Sequence, residues 1–166
     1  MRAFYFLLIV VLVSSCKKDV DPVISVQSNF RVEKNDENWI SSNTWANYSV
    51  KEQKFYINAS KRDSRYYQEE ILSISVDMTD FTQPLTTTNF SLEWYYIIGG
   101  DVIADRYTLD KNSTINEIQI TSVDTEKKII TGKFSVYLIH DSWYSNKGES
   151  LEFSSGTFSI SYSEIE

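Results

Sequence analysis

Gly132-Lys133-Phe134-Ser135-Val136-Tyr137-Leu138 alternates without a break, with Phe134, Val136 and Leu138 on one face and Lys133, Ser135 and Tyr137 on the other. A period of two belongs to a strand with one buried and one wet face, not to a helix. Working outward, the same pattern recurs. Phe158, Ile160 and Tyr162 alternate with Thr157, Ser159 and Ser161, and Ile118 and Ile120 with Glu117, Gln119 and Thr121. Upstream, Leu72, Ile74 and Val76 share a face, as do Phe55, Ile57 and Ala59. Phe30 and Val32 open the series, and Trp39 and Ile40 resume it after a turn through Asn35-Asp36-Glu37-Asn38.

Turn chemistry separates these runs. Gly99-Gly100-Asp101, Asp110-Lys111-Asn112-Ser113 and Ser145-Asn146-Lys147-Gly148 each divide apolar stretches, and such residues favour tight turns. Val123 to Lys128 is expected to join two strands as a hairpin. No segment has helical spacing, although one helical turn would fit Asp63 to Glu70. Gly132-Lys133-Phe134-Ser135-Val136 and Gly156-Thr157-Phe158-Ser159-Ile160 share a Gly-x-Phe-Ser-aliphatic pattern. Two copies do not make a repeat architecture, and they read as two neighbouring core strands. The expected fold is all-β: an antiparallel β-sandwich of about eight to ten strands, with a lipocalin-like barrel as the alternative.

The N-terminus gives an address. Arg2 precedes an apolar run from Ala3 to Val13, followed by Ser14-Ser15-Cys16, and Cys16 is the only cysteine in the 166 residues. The run is too short to cross ~30 Å of hydrocarbon as a helix but suits a cleaved signal. An aliphatic residue, two small residues and a cysteine form a lipobox. Residues 1–15 are therefore expected to be a lipoprotein signal peptide, 16–28 a lipidated cysteine with its tether, and 29–166 the domain. The sulfur of Cys16 would be spent on a thioether, and the protein would sit in the outer membrane of the cell envelope.

Composition narrows the function. The net charge is −7, which disfavours nucleic acid, whose binding relies on Lys and Arg neutralising phosphates. His140 is the only histidine. With Asp141 beside it on a strand, the two side chains point to opposite faces, so a general-base pair is poorly placed; His140 is expected at a strand end on the surface. No nucleophile motif accompanies it. One histidine and one lipidated cysteine cannot supply a zinc site. Asp77 with Asp80 and Asp101 with Asp105 are short-spaced carboxylates without the ordered series of a calcium loop. No metal or other cofactor is expected.

Aromatics are the better lead, with eleven Tyr, nine Phe and four Trp. Trp94-Tyr95-Tyr96, Trp143-Tyr144, Tyr66-Tyr67 and Trp45 with Tyr48 fall near loops or strand ends. Most such rings fill cores, but exposed ones stack on sugars. Trp94, Tyr96, Trp143 and Tyr144 are the candidate ligand-binding residues, on the expectation that two or three share an exposed plane.

The span from Phe30 to Tyr162 resembles small lipoproteins of the Bacteroidota grouped as domains of unknown function. The residues carrying this are Phe30, Trp39, Ile118-Gln119-Ile120-Thr121, Asp124, Gly132-Lys133-Phe134 and Gly156-Thr157-Phe158, with Cys16-Lys17-Lys18-Asp19 at the start. The resemblance implies an envelope location and an all-β fold, and brings no catalytic residues. Together these readings give a non-enzymatic, lipid-anchored envelope protein acting as an interaction or structural domain, with an envelope protein or polysaccharide as its partner, or alternatively a surface glycan-binding module that uses exposed aromatics.

Overall fold

The computed structural model describes residues 29–82, 84–141 and 148–166. The lipobox, Cys16, the tether, Trp143 and Tyr144 lie outside the described residues. Among the described residues there are eleven strands: β1 Asn29–Lys34, β2 Glu37–Ile40, β3 Asn43–Ser49, β4 Lys54–Asp63, β5 Gln68–Asp77, β6 Leu85–Thr87, β7 Phe90–Ile98, β8 Val102–Leu109, β9 Glu117–Asp124, β10 Ile129–His140 and β11 Ser150–Ile165. The chain is all-β.

The alternating runs bury their apolar faces, whereas Ile40, next to the buried Trp39, is exposed. Phe55, Ile57, Ala59, Leu72, Ile74, Val76, Ile118, Ile120, Phe134, Val136, Leu138, Phe158, Ile160 and Tyr162 all lie in the core. The expected hairpin through 123–128 joins β9 to β10, with Asp124 opposite Ile129. Asp63 to Glu70 is a hairpin too, not a helical turn, because Asp63 pairs with Gln68. Asn35 and Asp36 both have positive φ (48° and 64°), the conformation that a two-residue loop needs to match strand twist. Three longer hairpins share one device. Gln53, Tyr67 and Lys128 end their four-residue loops with φ of 53°, 50° and 54°.

The strands form one large sheet in the order β2-β1-β11-β3-β4-β5-β7-β8-β10-β9-β6, and β10 pairs with β11 as well. The added pairing closes a circuit through β11, β3, β4, β5, β7, β8 and β10, as in a barrel. Side chains also cross the interior as between the layers of a sandwich: Trp39 on β2 donates from Nε1 to Glu70 Oε2 on β5 at 2.8 Å. The antiparallel expectation needs one correction. β11 runs parallel to β3, with Tyr162 opposite Ala46 and Ile165 opposite Ser49, so the sheet is mixed. β11 is sixteen residues long. It outruns β10 and β1, and its C-terminal end meets β3 alongside. A bulge helps it turn: the register against both β1 and β10 shifts near Ser155, whose φ is 54°, and bulges bend strands.

The Gly-x-Phe echo has a reciprocal cause. Gly132 lies opposite Phe158, and Phe134 opposite Gly156. A Cβ on Gly132 would sit 2.4 Å from Phe158 Cζ, and one on Gly156 would sit 2.5 Å from Phe134 Cε1. Each ring therefore lies over the other strand's glycine, and both rings pack with Phe30.

Candidate functional site

β7 places Leu92, Trp94 and Tyr96 on its inner face and Glu93 and Tyr95 on its outer face. Trp94 is only 2% exposed. Its ring stacks on Tyr96 (6.2 Å, 6°), meets Tyr107 edge-on (5.4 Å, 74°) and carries Lys34 Nζ at 4.9 Å. Trp94 thus fills the interior and cannot contribute to an exposed stacking plane, and Tyr96 is half-buried beside it. The outward neighbour is Tyr95, which donates its hydroxyl to Glu93 and lies under Arg106 (5.9 Å). Trp45 and Tyr48 divide similarly: Trp45 is exposed, while Tyr48 packs on Phe55 and Phe81.

His140 is not at the surface. Its ring packs on Tyr107 (centroids 4.7 Å apart), and Nε2 lies 3.4 Å from Asp105 Oδ1. Asp105 is 1% exposed. Asp141 points the other way, toward Arg106 at 3.6 Å, as alternation along a strand requires. Tyr107 donates its hydroxyl to the Gly148 carbonyl at 2.7 Å. Burial, and then the nearby Asp105, push its phenol above the ordinary value. Close by, Lys34 and Glu70 pair at 2.5 Å. This end of the interior is polar, with Glu70 paired to Lys34 and Asp105 facing His140.

The short-spaced carboxylates do not gather. Asp77 pairs with Lys54, Asp80 receives Thr82, and Asp101 sits on an exposed turn away from buried Asp105. Among the described residues no three of His, Cys, Asp and Glu are grouped to hold a metal ion.

Two surface features remain, and sequence reading had singled out neither as a site. The β4–β5 and β7–β8 hairpins lie side by side, because Gln68 pairs with Ile98. Their ends expose Tyr66 (63%) and Tyr67 (75%) together with Ile98, Val102 and Ile103. The signal was present in Tyr66-Tyr67 and in aliphatics flanking Gly99-Gly100, but neither motif says that the two turns are neighbours. Next to the tyrosines is a polar cleft of about 460 Å³, lined by Arg62, Asp63, Arg65, Gln68, Glu70 and Tyr96 among others. Arg62 bonds Glu69 at 2.9 Å, and hydrogen bonds from Arg65 hold the Asp63 carboxyl below its ordinary value. At the opposite end of β7, a groove of about 720 Å³ runs between residues 88–93 and 108–116.

Comparisons with family models, with curated proteins and with solved structures returned no match.

Proposed function

We propose that this is a lipid-anchored protein of the outer membrane, held by an acylated Cys16, that works without catalysis as an interaction domain. The observation that carries the binding surface is the pair of neighbouring hairpin ends exposing Tyr66, Tyr67, Ile98, Val102 and Ile103. Large apolar side chains exposed together mark contact surfaces, whereas single ones carry no such meaning. Geometry also favours this end. β1 starts at Asn29, where the tether joins, and runs to Lys34 beside Glu70. Six strand residues span roughly 20 Å, so the hairpins lie at the end of β1 remote from Asn29. A catalytic reading is disfavoured by the packed surroundings of His140, whose ring is covered by Tyr107.

A second reading has its own support. Tyr66 and Tyr67 stand beside a cleft lined by amide, carboxylate and guanidinium groups, the combination that stacks on sugar rings and bonds their hydroxyls. In this reading the polysaccharide surface moves from Trp94 to the hairpin tyrosines.

Three experiments test these proposals. Cys16→Ser should shift the protein from the membrane to the soluble fraction, since acyl chains contribute ~0.8 kcal/mol per buried methylene. Retention on the membrane would sink the anchor. A photo-crosslinking residue in place of Tyr67 on intact cells should trap an envelope protein. Retardation by polysaccharide in native gels, lost in Tyr66→Ala/Tyr67→Ala, would instead establish the glycan reading.

A further inference from the structure

β7 pairs with β5 along its whole length, from Phe90 opposite Val76 to Ile98 opposite Gln68. On its other side the ladder to β8 runs only from Ile98 back to Glu93, opposite Thr108. Phe90, Ser91 and Leu92 thus form a strand edge with no strand paired to it among the described residues.

The reason lies in the chain that follows β8. From Tyr107 β8 pairs with β10 as well, and past Thr108 the chain keeps to β10 alone: Leu109 lies opposite Leu138, and Asp110 N donates to the Tyr137 carbonyl at 3.0 Å. Asn116, which is buried, holds the far side of the loop. Its Oδ1 accepts from Tyr137 N at 2.8 Å, and its Nδ2 donates to the Asp110 carbonyl at 2.7 Å. The loop is therefore tied to β10, and the groove of about 720 Å³ separates it from the β7 edge.

We infer that this groove receives an extended peptide, which adds to β7 in line with β8. Backbone groups on a strand edge are matched at strand repeat by another backbone, and three residues of edge offer about 10 Å of ladder. The walls suit a chain of neutral side chains. They mix hydroxyls and amides (Ser91, Thr108, Asn89) with the half-buried Phe90, while Leu92 turns inward to the core and the carboxylate of Glu93 is already bonded by Arg106. Lys111 adds one ammonium on the loop wall, which favours a carboxylate on the incoming peptide. Exposed edges are normally blunted by charge, proline or brevity. Phe90-Ser91-Leu92 carries no charge and no proline, and its brevity is what blunts it toward other sheets, while the groove beside it leaves room for one chain. The groove is at the opposite end of β7 from the hairpin ends, so this inference does not rest on the function proposed above.

The test uses the full chain in detergent and a phage library of random dodecapeptides. The expected result is enrichment of peptides whose binding slows amide hydrogen exchange in residues 89–93 and weakens about tenfold or more in Thr108→Trp. Lys111→Glu should weaken the acidic members of the set, and Tyr67→Ala should leave all of them unchanged. Absence of enrichment, or protection confined to the 64–67 and 98–103 turns, would overturn the inference. So would retardation by laminarin, starch or xylan that Thr108→Trp abolishes, which would make the groove a saccharide site. The exchange measurement on the unaltered chain decides the matter even if Thr108→Trp does not fold.

Discussion

At the scale of single residues, Gly132 and Gly156 leave no room for a side chain. Neither has positive φ, so they are not needed for backbone freedom; they are needed because a ring lies over each. A methyl on Gly156 would meet three carbons of Phe134 at 2.5–2.7 Å. The ring is fixed in turn by Phe30 and Phe158. Gly156→Ala should therefore destabilise the fold by about 1–3 kcal/mol, the usual cost of overpacking, read as a lowered urea midpoint. A midpoint unchanged from the parent would mean that Phe134 can move aside. The Gly-x-Phe echo was legible in the sequence, and so was the adjacency of the two strands. The reciprocal ring-over-glycine contact was not, because it depends on a register that places Gly132 opposite Phe158 and Gly156 opposite Phe134.

At the scale of elements, aspartates organise the turns. Asp124 Oδ1 accepts from Lys127 N at 2.8 Å and Glu126 N at 3.1 Å, Asp63 accepts from Arg65 N at 3.0 Å, and Asp80 accepts from Thr82 N at 2.8 Å. Hydrogen bonds favour the ionised carboxylate. All three carboxyls are held below their ordinary value of 3.8: Asp124 chiefly by the Lys127 backbone, Asp63 by the Arg65 side chain, and Asp80 by the Thr82 hydroxyl. A carboxyl depressed in the folded state stabilises the fold above its unfolded pKa, and that contribution is lost as pH falls through the folded pKa. The urea midpoint should thus fall as pH drops below about 3.8, and Asp124→Asn should narrow the difference between pH 7 and pH 3. An undiminished difference in the variant would assign the acid sensitivity elsewhere. Aspartates at turn starts could be read from sequence, since their side chains bond amides two or three residues on. The lane that a neighbouring hairpin occupies could not be read that way.

At the scale of the whole molecule, the C-terminal end of β11 connects the two arms of the sheet. Tyr162 is buried, meets Phe55 edge-on at 5.1 Å, and begins the parallel pairing with β3. Removing residues 162–166 deletes a core ring and the link between β11 and β3. The expected loss is roughly 3–5 kcal/mol, the range for deleting a large buried aromatic, read by chemical unfolding of the truncated chain. A loss below about 1 kcal/mol would mean that the antiparallel ladders hold the fold with the circuit open.

The sequence by itself determined the class of fold, the inward face of each alternating strand and the positions of most turns. These follow from local period and turn chemistry, which are written residue by residue. Only the tertiary structure decided the rest. The side of β7 on which Trp94 falls turned it from a candidate sugar platform into core. The partner of His140 proved to be Asp105 on β8, not its sequence neighbour. The apolar hairpin ends and the open edge of β7 arise from which strands lie side by side. Those pairings join residues far apart in the chain, and no local pattern specifies a contact whose other half lies tens of residues away.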